Sequence, residues 1–330
     1  MNASAPVRWG VLGCAAIASR KVIPAMQRSA RCDVVAIASR DRARADRAAA
    51  ELGIGRAHGS YEALLADPDV EAVYIPLPNH LHAEWTQRAA AAGKHVLCEK
   101  PLAMSAAEAR EVVDACARAG VLLMEAFMYR LHPLWREVRA LVDAGAIGEL
   151  RAIQGWFSYR NVDPGNIRNI AAYGGGAVMD IGCYPINVAR WMFDGEPDDV
   201  VATVRRDPAF GTDVLTSAVL DFGGRQAGFT CSTQLEDDQR VHLVGTAGRL
   251  LVEIPFNIPP DRPTRIVRAA GGDPPVAPGL EIIEVPTADP YGVQGDAFSA
   301  AVRDGTAAPI PPADAIGNMA VIDRILAAGR

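Results

Sequence analysis

The chain has 330 residues, half of them apolar and 22% charged, ordinary for a globular protein and long enough for two domains with separate cores. A net charge of −6 gives no reason to expect nucleic acid or a membrane surface as partner. No apolar run is long enough to cross a bilayer, Met1–Pro6 lacks the basic-then-apolar order of a signal peptide, and the six cysteines (14, 32, 98, 116, 183 and 231) never pair closely. The expected compartment is therefore the reducing cytoplasm.

Up to about residue 127 the pattern alternates. Val7 to Leu12, Asp33 to Ala38, Ala72 to Leu77, His95 to Cys98 and Val121 to Phe127 are short apolar runs that read as buried strands. Between them lie Ala-, Arg- and Glu-rich stretches with helical spacing. Ser105-Ala106-Ala107-Glu108 predicts a capping box, and Gly120 a helix stop. Such alternation implies right-handed crossovers and a doubly wound parallel sheet over 1–127.

The first strand runs into Gly13-Cys14-Ala15-Ala16-Ile17 and then a helix, a dinucleotide-binding turn whose later glycines are replaced by alanine. Gly13 still permits the tight turn, and helix amides can still face a pyrophosphate. Ala15, however, adds a methyl group where the phosphate comes closest. The second strand ends in Ser39-Arg40, where an acidic residue would bind the ribose hydroxyls of NAD. A hydroxyl and a guanidinium suit a 2′-phosphate instead, so NADP is the expected cofactor. Arg44 and Arg47 read as a solvated helix face.

Lys100 follows the strand at 95–98 directly, at the carboxyl end where open α/β sheets place ligands. Pro101 stops the strand and restrains the lysine before it. After a helix near 133–144 the grammar changes. Residues 149–159, 200–206, 213–222, 225–233, 240–244 and 249–254 read as successive strands, with Gly223-Gly224 turning a hairpin. Residues 128–330 are thus expected to form an α+β domain with a mainly antiparallel sheet. Pro-rich segments at 255–263 and 274–278 read as surface loops. Val214, Ala218, Leu220 and Phe222 share one face of their strand while Leu215 and Val219 make the other partly apolar, so a second subunit is expected to cover it.

Gly174-Gly175-Gly176 lets the backbone pass close to another group just before a helix. Asp180 and Tyr184, four apart, share a face of that helix. A lysine ammonium near a tyrosine favours the phenolate, so Lys100 and Tyr184 make a workable acid/base pair for an alcohol or carbonyl, with Asp180 holding Lys100. Asn187, one step further, either contacts substrate or faces solvent. Tyr129 and Arg130 either line the substrate site or pack. His80 and His82 lack further ligands, and no metal is expected.

The Gly13 turn, Pro76-Leu77-Pro78-Asn79-His80-Leu81-His82, Glu99-Lys100-Pro101, Met128-Tyr129-Arg130 and Gly174 to Tyr184 together resemble the glucose–fructose oxidoreductase/inositol dehydrogenase (Gfo/Idh/MocA) family over nearly the whole chain. The resemblance implies a Rossmann domain, an open-faced α/β domain, a nicotinamide cofactor and oligomerisation through the open sheet as a dimer or tetramer. It also implies that Pro76, Leu77, Pro78, Asn79, His82 and Glu99 lie beside the cofactor, and that Lys100 and residue 184 flank the reacting carbon. Many members have histidine at 184. Tyrosine resembles the glucose–fructose oxidoreductases, NADP-dependent xylose dehydrogenases, dihydrodiol dehydrogenases and sugar-nucleotide 3-ketoreductases, and Glu125 to Pro133 looks closer to the aldose dehydrogenases. The expected reaction is hydride transfer between NADP(H) and C1 of an aldose. Reduction of a 3-keto sugar nucleotide, a dihydrodiol dehydrogenase-like oxidation and a non-catalytic nicotinamide-binding regulator are the alternatives.

Overall fold

In a computed structural model, residues 5–270 and 280–328 are described. The chain divides into two compact units: everything up to Met128 together with Pro290–Ile316, and Tyr129–Asp289 together with the residues from Gly317 onward. The first boundary falls one residue from the expected one. The second block is not continuous, however, because Pro290–Ile316 returns to the first unit.

The first unit is a six-stranded, all-parallel sheet in the order β3-β2-β1-β4-β5-β6. Its strands are β1 (Val7–Leu12), β2 (Cys32–Ala38), β3 (Arg56–His58), β4 (Ala72–Ile75), β5 (His95–Cys98) and β6 (Leu123–Glu125). Helices α1 (Ile23–Gln27), α2 (Arg42–Leu52), α3 (Tyr61–Leu65), α4 (His82–Ala91) and α5 (Ala106–Ala119) connect them. The strand reversal lies between β1 and β4, so the turns after these two strands open at the crevice where doubly wound sheets take their ligands. Ser105 caps α5 through the Glu108 amide, as expected, while Glu108 accepts from Met104 N rather than from the cap residue itself.

The second unit is an eight-stranded sheet, β14-β13-β12-β11-β7-β10-β9-β8, in which only β7 and β10 run parallel. Its elements are α6 (Pro133–Asp143), β7 (Leu150–Arg160), α7 (Cys183–Phe193), β8 (Asp199–Arg206), β9 (Asp213–Asp221), β10 (Gln226–Ser232), β11 (Gln234–Gly245), β12 (Gly248–Val252), β13 (Thr264–Ala270) and β14 (Glu281–Val285). The expected hairpin at Gly223-Gly224 joins β9 to β10. Val214, Ala218, Leu220 and Phe222 are buried, whereas Val219 is 47% exposed and its cross-strand partner Val201 66% exposed. β13 and β14 are additional strands. The segment 255–263 is not simply a surface loop, because Phe256 is fully buried against Phe157, Tyr129 and Tyr184. The Pro-rich stretch at 274–278 lies outside the described residues.

Two helices follow, α8 (Pro290–Asp304) and α9 (Ala313–Ala328). The first is bound to the parallel sheet from 290 residues away. Trp9 donates its indole N–H to Ser299 Oγ at 3.1 Å and packs on Phe298 at 5.5 Å. Arg303, its side chain 6% exposed, grips Glu71 with two nitrogens at 2.9 and 2.7 Å and donates to the Ala5 and Pro6 carbonyls. The guanidinium holds the Glu71 carboxyl down to about 2.

A carboxyl depressed in the folded state contributes stability that is present above its unfolded value near 4.5 and is lost as pH falls toward 2. Arg303→Met should therefore lower stability at pH 7 by about 3 kcal/mol. It should also flatten the stability–pH curve between pH 4.5 and 2, where the native protein should lose stability. Urea unfolding followed by circular dichroism at several pH values checks both.

Candidate active site

Each unit carries its own set of candidate residues. In the first, β1 ends at Gly13, whose φ of +107° is a region that side chains rarely adopt. A Cβ there would also meet Leu77 Cδ2 at 3.0 Å. Gly13 N donates to Ala38 O at 2.8 Å, tying the turn to the end of β2. Cys14, Ala15 and Ile17 are half-buried and Ala16 is exposed, with the helix beginning at Ala16 and passing through one π turn, Ala18–Val22, before α1.

At the end of β2, Ser39 is buried and its Oγ accepts from Asp41 N, while Arg40 is exposed. Asp41 caps α2 by accepting from Arg44 N. Arg44 is not merely a solvated helix residue: its Nη2 reaches back to Cys14 O at 2.9 Å. Burial pushes the Tyr61 phenol up, and the Arg40 and Arg44 guanidinium groups oppose that rise. Two cations therefore stand near the turn in a protein of net negative charge.

Pro76, Leu77 and Pro78 form the loop after β4, followed by a single 3₁₀ turn, Asn79–Leu81. His82 opens α4 and is fully buried, with Nδ1 2.7 Å from Pro101 O and Nε2 2.7 Å from Leu77 O. Its side chain thus ties the loop after β4 to the loop after β5, with both ring nitrogens against backbone carbonyls. Burial holds its pKa down to about 4, while the two carbonyls pull the other way, since a neutral ring can donate to only one of them. The carboxyl end of β5 leads to Glu99, Lys100 and the cis peptide Lys100–Pro101. Glu99 is fixed from β4, where the buried Tyr74 phenol donates to its Oε1 at 2.6 Å. Glu125 Oε1 accepts from Leu102 N at 2.7 Å, anchoring the segment beyond Pro101. Three neighbours therefore frame the loop that carries Lys100.

In the second unit the three glycines lead into a helix that starts with a π turn, Val178–Gly182, continued by α7. Such turns recur at functional sites because they re-aim side chains within a helix. Gly176 has φ +125°, and a Cβ on it would collide with the Asp213 carboxylate; one on Gly175 would collide with the Arg168 carbonyl. The close approach expected from these glycines is thus to the backbone of Arg168 and to Asp213. The Asp213 Oδ2 accepts from Val178 N at 2.7 Å and fixes the helix start, and its burial pushes this carboxyl up.

Asp180 lies within the π turn. Its Oδ2 accepts from Tyr159 Oη at 2.6 Å and from Arg168 Nε at 2.8 Å. Neither donor is evident from sequence motifs, although the glycine run signals that some segment passes close by. Burial, followed by the Asp180 charge, pushes the Tyr159 phenol up, and the Asp180 charge raises the Arg168 guanidinium.

Tyr184, at the start of α7, is packed by the rings of Tyr129, Phe157 and Phe256, with centroids 5.1 to 5.8 Å away. Tyr129 is fully buried and donates its hydroxyl to Asn187 Oδ1 at 2.6 Å. Asn187 is itself fully buried, which excludes the solvent-facing alternative. Arg130 lies over the Trp191 ring at 4.7 Å. Among the described residues no group of three or more His, Cys, Asp or Glu is placed to hold a metal ion.

Residues 7–127 match the model of the oxidoreductase family with an NAD-binding Rossmann fold, GFO_IDH_MocA, and residues 135–251 match the GFO/IDH/MocA C-terminal domain. The chain belongs to the Gfo/Idh/MocA family. It is 50% identical to an uncharacterized oxidoreductase of Rhizobium meliloti, covering 97% of this chain and 96% of that protein. It is 42% identical to D-xylose 1-dehydrogenase (NADP(+)) 2 of Haloferax volcanii, covering 96% and 95%. Among solved structures, a 3-ketoreductase from Actinomadura kijaniata in complex with NADP and TDP-benzene superposes with a TM-score of 0.90 at 34% identity, over 98% of both chains.

Proposed function

We propose that the protein is an NADP-dependent oxidoreductase acting on a pyranose sugar, with C1 of an aldose as the reacting carbon. Two observations, each within its own unit, carry the reading: a cation-lined turn in the first and a buried, helix-borne tyrosine in the second. Family membership and the 42% identity to an NADP-dependent xylose dehydrogenase support it. The sugar-nucleotide 3-ketoreductase likeness favours a second reading, reduction of a keto sugar carried on a nucleotide. A protein that kept the fold and lost turnover would retain nucleotide binding alone.

The residues of the first unit fit the cofactor. The φ of +107° at Gly13 disfavours any side chain there, and Ser39, Arg40 and Arg44 gather a hydroxyl and two cations at the end of β2. Gly13 to Ile17 would face the pyrophosphate, Ser39 and Arg40 the 2′-phosphate, and Pro76 to Asn79 with Glu99 the remainder. When bound, NADP accepts or supplies the hydride. The Tyr184 phenol takes the proton from the sugar hydroxyl during oxidation and returns it during reduction, as a general base or acid. Lys100 holds the reacting oxygen and favours the phenolate by its charge. Asp180 orients the pair; Tyr129, Arg130 and Asn187 shape and support the sugar side. The exposed valines of β8 and β9 form the face through which two or four copies assemble.

Three measurements check this reading. Reduced-nicotinamide absorbance with a panel of aldoses, polyols and keto sugars should show turnover with an aldose. Tyr184→Phe should leave NADP affinity nearly unchanged and reduce turnover by about 10²–10⁴; turnover confined to nucleotide-linked keto sugars would move the assignment to the second reading, and silence with nucleotide bound would remove catalysis from it. In direct binding, Arg40→Asp should erase a preference for NADP worth roughly 1.5–3 kcal/mol, and equal native affinity for NAD and NADP would defeat the 2′-phosphate assignment. Light scattering at micromolar concentration should give the mass of a dimer or tetramer, and a monomer would refute the assembly.

A further inference from the structure

Arg168, on the loop before the three glycines, is hydrogen-bonded directly to Asp180. Only its Nε is used there. Its side chain remains 43% exposed, while Asp180 is only 13% exposed. The position is built rather than accidental. Arg168 N is capped by Asn166 Oδ1 at 3.1 Å, its carbonyl accepts from Gly176 N at 2.9 Å, and that carbonyl occupies the space a Cβ on Gly175 would need. Asn169 bonds back to the Asp163 carbonyl and braces the same loop. The glycine run therefore seats Arg168 as well as starting the helix of Asp180 and Tyr184.

We propose that Arg168 is a positioning residue of the acid/base set: its Nε fixes Asp180 with Tyr159 as co-donor, and its charge favours the phenolate of Tyr184. The inference rests on Tyr184 being the acid/base. The guanidinium is held 2.8 Å from the Asp180 carboxylate, four residues before Tyr184 on the same helix, so its charge stands on the side of the helix start that carries the phenol. Other groups of the second unit near the set include the Tyr159 phenol, which is protonated and donates to Asp180, and the Cys183 thiol, which lies 3.5 Å from Asp180 O. The Cys231 thiol is fully buried and neutral, its pKa pushed far up by burial, and Asp213 is bound to Val178 N. The Tyr129 hydroxyl is turned to Asn187 Oδ1. Among these groups Arg168 supplies the positive charge. Without it the Asp180 carboxylate would weigh against the phenolate that Lys100 is proposed to favour, so loss of Arg168 acts twice in the same direction.

The test is to titrate the Tyr184 phenol directly, by NMR of protein carrying tyrosine labelled with ¹³C at Cζ, with the signal assigned by its loss in Tyr184→Phe. In Arg168→Gln the phenol should ionise about one pH unit or more above the native value. Arg168→Lys keeps a charge without the planar fork and should give a smaller rise. It decides the matter if the glutamine variant does not fold. The pH at which sugar oxidation reaches its plateau should move with the NMR value, while melting temperature need not. An unchanged Tyr184 titration in the folded variants overturns the proposal even if turnover falls. A shifted titration in a protein with no turnover on any sugar leaves the Arg168 coupling standing and sinks the acid/base reading instead.

Discussion

The second unit depends on one close approach, in which Gly175 and Gly176 lie against the carbonyl of Arg168 and the carboxylate of Asp213. No side chain larger than hydrogen fits at either glycine. Because the approach is possible, Asp213 reaches Val178 N and starts the helix, and the backbone of Arg168 is held beside it. Asp180 and Tyr184 then follow within a π turn and the first residue pair of α7. Tyr184 has little rotational choice, since three aromatic rings enclose it. Such confinement suits the acid/base role proposed for Tyr184, because a fixed donor does not have to be ordered again at each turnover.

The first unit uses the same economy at its own turns. Gly13 lets β1 bend against Leu77, and Leu77 in turn gives its carbonyl to His82, which also holds the carbonyl of Pro101. The nucleotide turn, the loop after β4 and the loop bearing Lys100 are thereby joined by direct contacts. Tyr74 adds a bond from the sheet interior to Glu99, the residue before Lys100. A flexible lysine on a loop framed in this way loses less freedom on meeting a substrate than one on a mobile surface turn.

The parallel strands were readable because strands covered on both faces are continuous apolar runs. β3 was not, since Arg-Ala-His has no apolar pattern and all three residues are only half-buried. β13 and β14 escaped for a related reason: Thr264–Ala270 and Glu281–Val285 mix charge with apolar residues at the sheet edge and follow Pro-rich sequence. The return of α8 to the first unit is invisible to any local reading, because its amphipathic pattern says that it packs and not on which core. Sequence motifs single out Gly13, Ser39, Lys100, Asp180 and Tyr184 as candidates. Arg44, Tyr159 and Arg168 were not legible, since each acts through a contact that only the tertiary path creates. Asn187 could be read as polar and helix-borne, but its burial depends on Tyr129, 58 residues away.

In the proposed reaction a hydride leaves C1 of an aldose for the nicotinamide while Tyr184 handles the proton. Oxidation of an aldose carrying deuterium at C1, with NADP in stoichiometric amount, tests it most directly through mass and NMR analysis of the reduced nucleotide. The account predicts that the deuterium is found at C4 of the nicotinamide and that turnover slows relative to the protiated sugar. Deuterium retained in the sugar product, or released to water, would contradict it.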